Sequence, residues 1–524
     1  MKTSHLHLLL YYLILLQSFV TSHKFLLYNP VNLGASPSHR LFIDKLGNLL
    51  VDNGHDVVNY MPTLLEHDEG KNKRKGRLLE WKGEKMLMAK DTTFSNAWLK
   101  DDSFWGMFNI TTMLAYSDKF GQLCDAQMAD SKLMDQLKSE NFDLGLSENF
   151  DPCGFAIFKR LGIKYAPVFS TTPSNFQFES WCIPSPQSYV PAWIWPYANP
   201  ANFKKRLLAE LSEVYSYNYA KYIHHSRIVD RQGYGDYSSI LAESQVIFVN
   251  ADEFVDFTRP ITNKIIYIGG FGLEKAEHAP VDQEIKKVLD NSKKTVLISF
   301  GALVNSSAIP SKPKNSFLKA FKHFPDVTFI WRYQTPNDGF GKEVKNLHLG
   351  SWLPQHQILS HKTTVGFVSH CGMNSMSEAN YFGVPMICVP FFGDQHRNVK
   401  SLIQREIGLE LSKHSVNEEK LVQVLQKLID NDSYYKSAKT LSKLIKAKPL
   451  TATDRFVKYA ELAAEFDLHS YWDIPGRNLS SIQYYNLDVK AFLLLLITSF
   501  VFTFYKILSF LFGLCRPSKK VKQQ

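Results

Sequence analysis

Between residues 295 and 390, continuous apolar runs recur at Thr295 to Leu303 (TVLISFGAL), Val327 to Tyr333, Leu347 to Trp352, Val365 to His370 and Met386 to Pro390, with helical stretches between them. Strands that are apolar on both sides must be covered on both faces, which a parallel sheet with helices above and below provides. A polar helix beginning at Asp282 (DQEIKKVLDNS) leads into this region. Upstream, His23 to Tyr28 reads as a strand, Ser38 to Asn53 as a helix (Phe42, Ile43, Leu46, Leu49, Leu50) and Asp56 to Tyr60 as a strand. Ser38 suits its N-cap and Gly54 its stop. Phe142 to Glu148 and the helix through Phe155 to Leu161 repeat the unit.

A chain of 524 residues exceeds what one hydrophobic core can serve, so two lobes and a cleft are expected. The linker falls near Gly269 to Val281, where Gly and Pro collect without the G-x-G-x-x-G spacing of a dinucleotide loop. Asn29 to Gly34 is no Gly-rich first turn either, which argues against an NAD-dependent oxidoreductase. The segment from Trp181 to Tyr237, with Trp193, Trp195 and Tyr197, lacks sheet periodicity and reads as irregular helices and loops. It serves an acceptor pocket, a membrane surface or ordinary packing.

The 60 Lys and Arg against 50 Asp and Glu leave a formal charge of +10, compatible with nucleic acid, an anionic membrane or acidic small molecules. No basic run interleaved with aromatics appears in the body of the chain, and Lys71 to Arg77 reads as a solvated loop; nucleic acid is not an expected partner. The ends point to a membrane. Lys2 followed by the apolar run Leu8 to Val20 reads as a signal peptide cleaved after Ser22. Ala491 to Cys515, interrupted by Lys506, spans a bilayer as one helix, and Lys506 can snorkel to the headgroups. Arg516, Lys519, Lys520 and Lys522 place the tail in the cytosol and the bulk of the chain in the lumen. The terminal K-x-K-x-x arrangement is similar to an endoplasmic-reticulum retrieval signal. Asn109, Asn305, Asn431 and Asn478 head glycosylation triplets consistent with that placement. Six cysteines without a C-x-x-C pair predict neither a disulfide scaffold nor structural zinc; Cys515 is either acylated or an unmodified boundary thiol.

The segment Val365 to Gln395 (VGFVSHCGMNSMSEANYFGVPMICVPFFGDQ) is the most informative. A strand ends at His370, Gly372 permits a tight turn, and Asn374 to Phe382 is helical until Gly383. Ligands of open parallel sheets bind beyond the strands' carboxyl ends, where a helix start offers free N–H groups and a positive dipole end; a diphosphate fits there. His370, Asn374 and Ser375 can donate to it, and Gly372 permits close approach. Glu378 can accept from ribose hydroxyls, and Asp394 and Gln395 would face a sugar. The indole of Trp352 suits a pyrimidine and the amide of Gln355 a ribose, while Ser299, Gly301 and Arg332 lie at earlier strand ends.

The run from Phe367 to Gln395, with Trp352-x-Pro-Gln355, resembles the signature of the UDP-glycosyltransferases, and the wider chain resembles the animal UDP-glucuronosyltransferases. The resemblance implies two Rossmann-like lobes facing a cleft (GT-B type) and one C-terminal transmembrane helix. It divides the chain into a signal peptide (1–22), an acceptor lobe (23–275), a UDP-sugar lobe (282–445), a return helix and lumenal stem (446–489), a membrane span (490–514) and a cytosolic tail (515–524). His39 opens a helix at the cleft edge, where the helix end favours neutral imidazole. In the family a Ser-His at this point supplies the general base, and Ser38-His39 matches. An Asp orients that base in the human enzymes; here the matching position holds Glu148, with Asp151 as a second candidate. The implied reaction is inverting transfer from a UDP-sugar to a lipophilic small molecule, with no metal and no cofactor beyond that co-substrate. Glucuronate or glucose is the sugar, a catalytically silent UDP-sugar-binding paralogue is the other alternative, and assembly with itself or related enzymes is an associated expectation. The implied site is a single-pass protein of the endoplasmic-reticulum membrane.

Overall fold

The computed structural model describes residues 22–29, 37–63, 74–82, 97–99, 110–191, 202–277 and 282–514. The signal segment, Asn109, the aromatic cluster at 193–197 and the basic tail lie outside them. The first lobe is a seven-stranded sheet formed by β1 (Lys24–Tyr28), β2 (Asp56–Thr63), β3 (Arg77–Lys82), β4 (Leu144–Glu148), β5 (Tyr165–Phe169), β6 (Ile247–Val249) and β7 (Ile265–Tyr267). All neighbours are parallel, in the order β3-β2-β1-β4-β5-β6-β7. Chain direction across the sheet reverses between β1 and β4, opening a crevice at their carboxyl ends.

Helix α1 (Pro37–Asp52) follows β1 and ends before Gly54, whose φ of +89° suits the left-handed stop. Ser38 is not its cap. Pro37 occupies the first turn, where its fixed φ and missing N–H cost nothing, so Ser38 falls inside the helix. Helix α2 (Phe203–Asn218) is a regular element in the segment expected to be irregular, capped by the Asn202 side chain accepting from the Lys205 N–H.

The second lobe is a six-stranded parallel sheet: β8 (Lys294–Ser299), β9 (Val327–Arg332), β10 (Leu347–Gly350), β11 (Thr364–Ser369), β12 (Met386–Cys388) and β13 (Gly408–Glu410), in the order β10-β9-β8-β11-β12-β13. Its reversal lies between β8 and β11. Three helices around it carry candidate residues: α3 (Gln355–Ser360), α4 (Met373–Phe382) and α5 (Gln395–Gln404). Each sheet has its own core. That of the second lobe admits Trp98 from the N-terminal half of the sequence, edge-on to Phe300 and Phe391 at ring separations of 5.7 and 5.1 Å. In the other direction α6 (Ala452–Glu465) returns to the first sheet, where Phe456 meets Phe248 at 4.9 Å.

Among the described residues two disulfides occur, Cys124 to Cys153 and Cys371 to Cys388. They are clamps on lobes that already have large cores rather than a scaffold, and their sequence separations of 29 and 17 residues leave no local signature. From Asp473 the chain forms a separate unit containing α7 (Leu487–Leu514), whose 28 residues extend about 42 Å at 1.5 Å each, enough to cross a bilayer. Lys506 on this helix lies 5.4 Å from the Phe502 ring centre.

Candidate active site

Glu148 is the last residue of β4, so its position is fixed by the sheet rather than by a loop. One carboxylate oxygen, Oε2, accepts from the Phe150 N–H at 2.7 Å; the other, Oε1, accepts from the Ser170 hydroxyl at 2.8 Å. His39, in the first turn of α1, places Nδ1 3.2 Å from Oε1 and 2.9 Å from Ser170 Oγ. Because the Ser170 proton is committed to Glu148, Ser170 Oγ offers His39 only lone pairs, and Nδ1 must be the donor. That tautomer leaves Nε2 as an acceptor.

Burial favours neutral imidazole at His39, but the charge and hydrogen bond of Glu148 outweigh it, with Asp394 adding a smaller pull, and the pKa ends above that of an ordinary histidine. This corrects the expectation that the helix end would set the balance toward neutral imidazole. Burial pushes Glu148 up, yet His39 and the two donors hold its carboxyl below the usual range. Asp151 is no rival partner. It accepts from the Tyr28 hydroxyl at 2.8 Å and from the Cys153 N–H at 3.0 Å, and burial raises its pKa to about 6. The Phe150 ring stands 5.2 Å from that of His39, giving one side of the site an apolar wall.

The second lobe gathers its polar groups at the carboxyl ends of β8, β9 and β11. A Cβ on Gly301 or Gly372 would come within 2.6 or 2.5 Å of the His370 ring, so that ring fills a slot whose walls only glycine allows. Burial, with Arg332 nearby, lowers the His370 pKa to about 4, which leaves a neutral ring at pH 7. Arg332 Nη1 donates to the Gly301 carbonyl at 2.7 Å, and the guanidinium lies 5.0 Å from the centre of the Trp352 ring. Trp352 itself is 76% exposed, a large flat surface with no core to serve. Helix α4 starts at Gly372 with no side-chain cap, leaving its first N–H groups directed outward.

Gln355 Nε2 donates to Glu378 Oε2 at 2.5 Å and reaches Ser375 Oγ at 3.5 Å, while His356 Nε2 meets Glu378 Oε1 at 2.9 Å. Asn374 accepts through Oδ1 from Asn250 Nδ2 at 2.9 Å. Asp394 is held by Asn398 at 2.6 Å, and burial raises its pKa. Two expected contacts have another role here. Gln395, 3% exposed, accepts the Phe391 N–H at 2.8 Å and ties down its own loop; Ser299, 2% exposed, lies in strand register with Ser369.

The family model described as "UDP-glucoronosyl and UDP-glucosyl transferase" matches residues 30–523. The chain belongs to this family. The putative UDP-glucuronosyltransferase ugt-47 of Caenorhabditis briggsae is 29% identical over 95% of this chain and 94% of its own. Human UDP-glucuronosyltransferase 3A2 is 27% identical over 93% and 94%. The glycosyltransferase of kitacinnamycin has the same fold at a TM-score of 0.58 and 16% identity, covering 85% of this chain and 98% of that one. The structure of Phytolacca americana UGT2, complexed with UDP-2fluoro-glucose and pterostilbene, superposes with a TM-score of 0.55 at 16% identity over 85% and 100%. Such neighbours give this UDP-glycosyltransferase the GT-B architecture.

Four polar residues of the candidate site escaped sequence reasoning. Ser170 and Asn250 immediately follow β5 and β6, so the strand-end rule that singled out His370 applied to them too. His356 follows Gln355 directly, but its approach to Glu378 depends on how α3 and α4 pack. Asn398 donates to both the Cys371 carbonyl at 3.0 Å and Asp394, a link between loops that no local pattern announces.

Proposed function

We propose that this UDP-glycosyltransferase moves glucuronate from its UDP donor to a hydroxyl of a lipophilic small molecule, with inversion at the anomeric carbon. The observation that carries the reading is the His39, Ser170 and Glu148 arrangement, with Nε2 left as the acceptor and Asp394 of the other lobe close enough to influence His39. In this scheme His39 Nε2 takes the acceptor proton as the acceptor oxygen bonds to the anomeric carbon. The bond from that carbon to the diphosphate oxygen breaks on the opposite face, and UDP leaves with the electron pair. Glu148 stabilises the imidazolium; the open start of α4 and the His370 slot meet the diphosphate charge, and Trp352 stacks on uracil. The UDP-sugar is the sole co-substrate.

Glucuronate is the first donor to test because the relatives above are named as glucuronosyltransferases. Asp394 supports a second reading, UDP-glucose: a half-buried carboxylate on the sugar side accepts hydroxyls and repels a uronate. The test is a matrix of both UDP-sugars against phenolic, steroid and lipid acceptors with expressed microsomes. UDP-glucuronate turnover that is lost in His39→Ala, with UDP binding retained, supports the proposal. Turnover with UDP-glucose alone selects the second reading, and undiminished His39→Ala turnover overturns the assigned base.

A lumenal, endoplasmic-reticulum placement is part of the proposal. Two disulfides, α7, and exposed side chains at Asn431 and Asn478 support it. Asn305 is less open, being only half-exposed where Asn431 and Asn478 are exposed. Endoglycosidase-sensitive mobility lost in Asn431→Gln and Asn478→Gln would check it; an unglycosylated chain would count against it.

A further inference from the structure

Asn250 immediately follows β6 and is buried at the carboxyl end of the first sheet. Its backbone N–H donates to the Phe169 carbonyl at 2.8 Å, which fixes the point from which the side-chain amide departs. Nδ2 carries two protons, and both are committed. One goes to the Ser170 carbonyl at 3.0 Å, in the first lobe; the other goes to Asn374 Oδ1 at 2.9 Å, in the first turn of α4 in the second lobe. Each partner leads to one half of the reaction. The Ser170 hydroxyl is shared by His39 and Glu148, while Asn374 stands at the uncapped start of α4. The orientation of the two amides follows by elimination. A carbonyl can only accept, so Ser170 requires Asn250 to present its NH2 group, and Asn250 in turn requires Asn374 to present its oxygen. The Asn374 NH2 is therefore turned away from Asn250 and left as a donor on the α4 side.

We propose that Asn250 is a positioning residue that ties the orientation of the Asn374 amide, a hydrogen-bond donor for the diphosphate, to the seat of the His39 base. The inference rests on the function proposed above, in which the start of α4 meets the diphosphate and His39 takes the acceptor proton. Cohesion between the lobes does not call for this bond, because Arg397 and Asp256 already join them through a buried pair at 2.7 Å. What the Asn250 amide adds is a common register. The carbonyl of the residue that orients His39 and the amide that faces the diphosphate are held by one NH2 group, so the base is seated when α4 is placed to receive the donor. Removing the amide frees both ends at once: Asn374 can turn its oxygen toward the phosphates, and Ser170 loses a backbone anchor beside its hydroxyl.

A double-mutant cycle on the full-length chain tests the proposal, with UDP affinity read by calorimetry, kcat from whichever UDP-sugar the wild type turns over, and Tm from thermal unfolding. Asn250→Ala should weaken UDP binding and lower kcat, each on the order of fivefold, the size of one neutral hydrogen bond, while Tm changes little. Introduced into Asn374→Ala, the same change should alter UDP affinity by about twofold at most, since the amide it orients is already gone. Introduced into Ser170→Ala, it should alter kcat by about twofold at most, since the hydroxyl it seats is gone. If Asn250→Ala does not fold, Asn374→Asp carries the test: it keeps an acceptor for Asn250 and removes the outward NH2, so UDP should bind about tenfold more weakly and uridine as before. An Asn250→Ala loss of UDP affinity that is equal with and without the Asn374 side chain overturns the proposal. So does a lowered Tm with unchanged UDP affinity and kcat, which would make the residue one of packing alone, or wild-type UDP affinity in Asn374→Asp. None of these results touches the assigned base, which stands or falls with His39→Ala; a wild type that binds no UDP overturns both.

Discussion

At the residue scale the decisive feature is a proton position. His39 must be neutral to accept a proton, and Glu148 holds its pKa above the ordinary value. The acid limb of kcat/KM is therefore expected above the usual histidine range, with activity lost as pH falls through it. Glu148→Gln removes the raising charge: the limb should move to lower pH while the plateau rate falls on the order of 100-fold, since the imidazolium loses its partner. Ser170→Ala should keep the raised limb yet lower the plateau, because Nδ1 retains Glu148 but loses one of its two acceptors. A pH-rate series on the three proteins separates these outcomes. Glu213 offers a test of stability rather than rate. Burial raises its pKa to about 7, and Oε1 has no protein partner. The folded state then holds a proton that the unfolded chain has released, so stability falls as pH rises from the ordinary carboxyl value toward about 7. Glu213→Gln should recover on the order of 3 kcal/mol at pH 8, seen as a higher Tm, and little at pH 4, where both states are protonated.

At the scale of elements, the donor turn between β11 and α4 works by exclusion of side chains. Gly372 has φ of −64°, a conformation open to any residue, so Gly372→Ala adds no backbone strain and acts only through its collision with His370. UDP affinity is expected to fall about tenfold or more, roughly 1.4 kcal/mol per decade, with unfolding little changed. Gly301→Ala combines the same collision with a φ of +75° and should cost stability as well. Calorimetry of UDP binding beside thermal unfolding distinguishes the two; equal affinity in Gly372→Ala would sink the slot argument. The strands carrying this turn were legible because they are apolar throughout and separated by helices. His370, Gly372 and Glu148 could be read for the same reason: each sits at or just beyond the end of such a strand. The three-residue strands β6 and β7 were not legible, since so short a run has no period to detect. Asn250 disappeared with β6, although its Nδ2 joins the Ser170 carbonyl at 3.0 Å to Asn374. Trp98 could not be placed either, since the core it enters belongs to the lobe built mainly from the later half of the chain.

At the scale of the whole catalytic body, the lobes are joined by polar ties as well as by α6. Arg397, on α5 three residues after Asp394, pairs with Asp256 at 2.7 Å, and their side chains are 3 and 4% exposed. Arg405 of the segment following α5 donates to the Asp256 carbonyl at 3.1 Å. Lys448 meets both Asp252 and Glu253 at 2.6 Å, with Arg455 on Glu253 at 2.7 Å. The ties to Glu253 are partly exposed and count for less individually, whereas Arg397 with Asp256 and Lys448 with Asp252, at 13 and 7% exposed, are buried pairs. Asp256→Asn leaves the Arg397 charge without its counter-ion and should cost about 3 to 5 kcal/mol. Because Arg397 shares α5 with Asn398, which holds Asp394, the loss should also reach the sugar side of the cleft. The expected pattern is a lower Tm together with a reduced kcat for UDP-sugar hydrolysis or transfer, while Lys448→Gln, which strips buried Asp252 of its counter-ion, lowers Tm with little effect on kcat. Replacing both members by apolar side chains, Asp256→Leu with Arg397→Met, should restore much of the Tm but not kcat, since packing can substitute for the pair and cannot fix the direction of α5. Recovery of both would show that the pair contributes cohesion alone and that Asp394 is positioned without it.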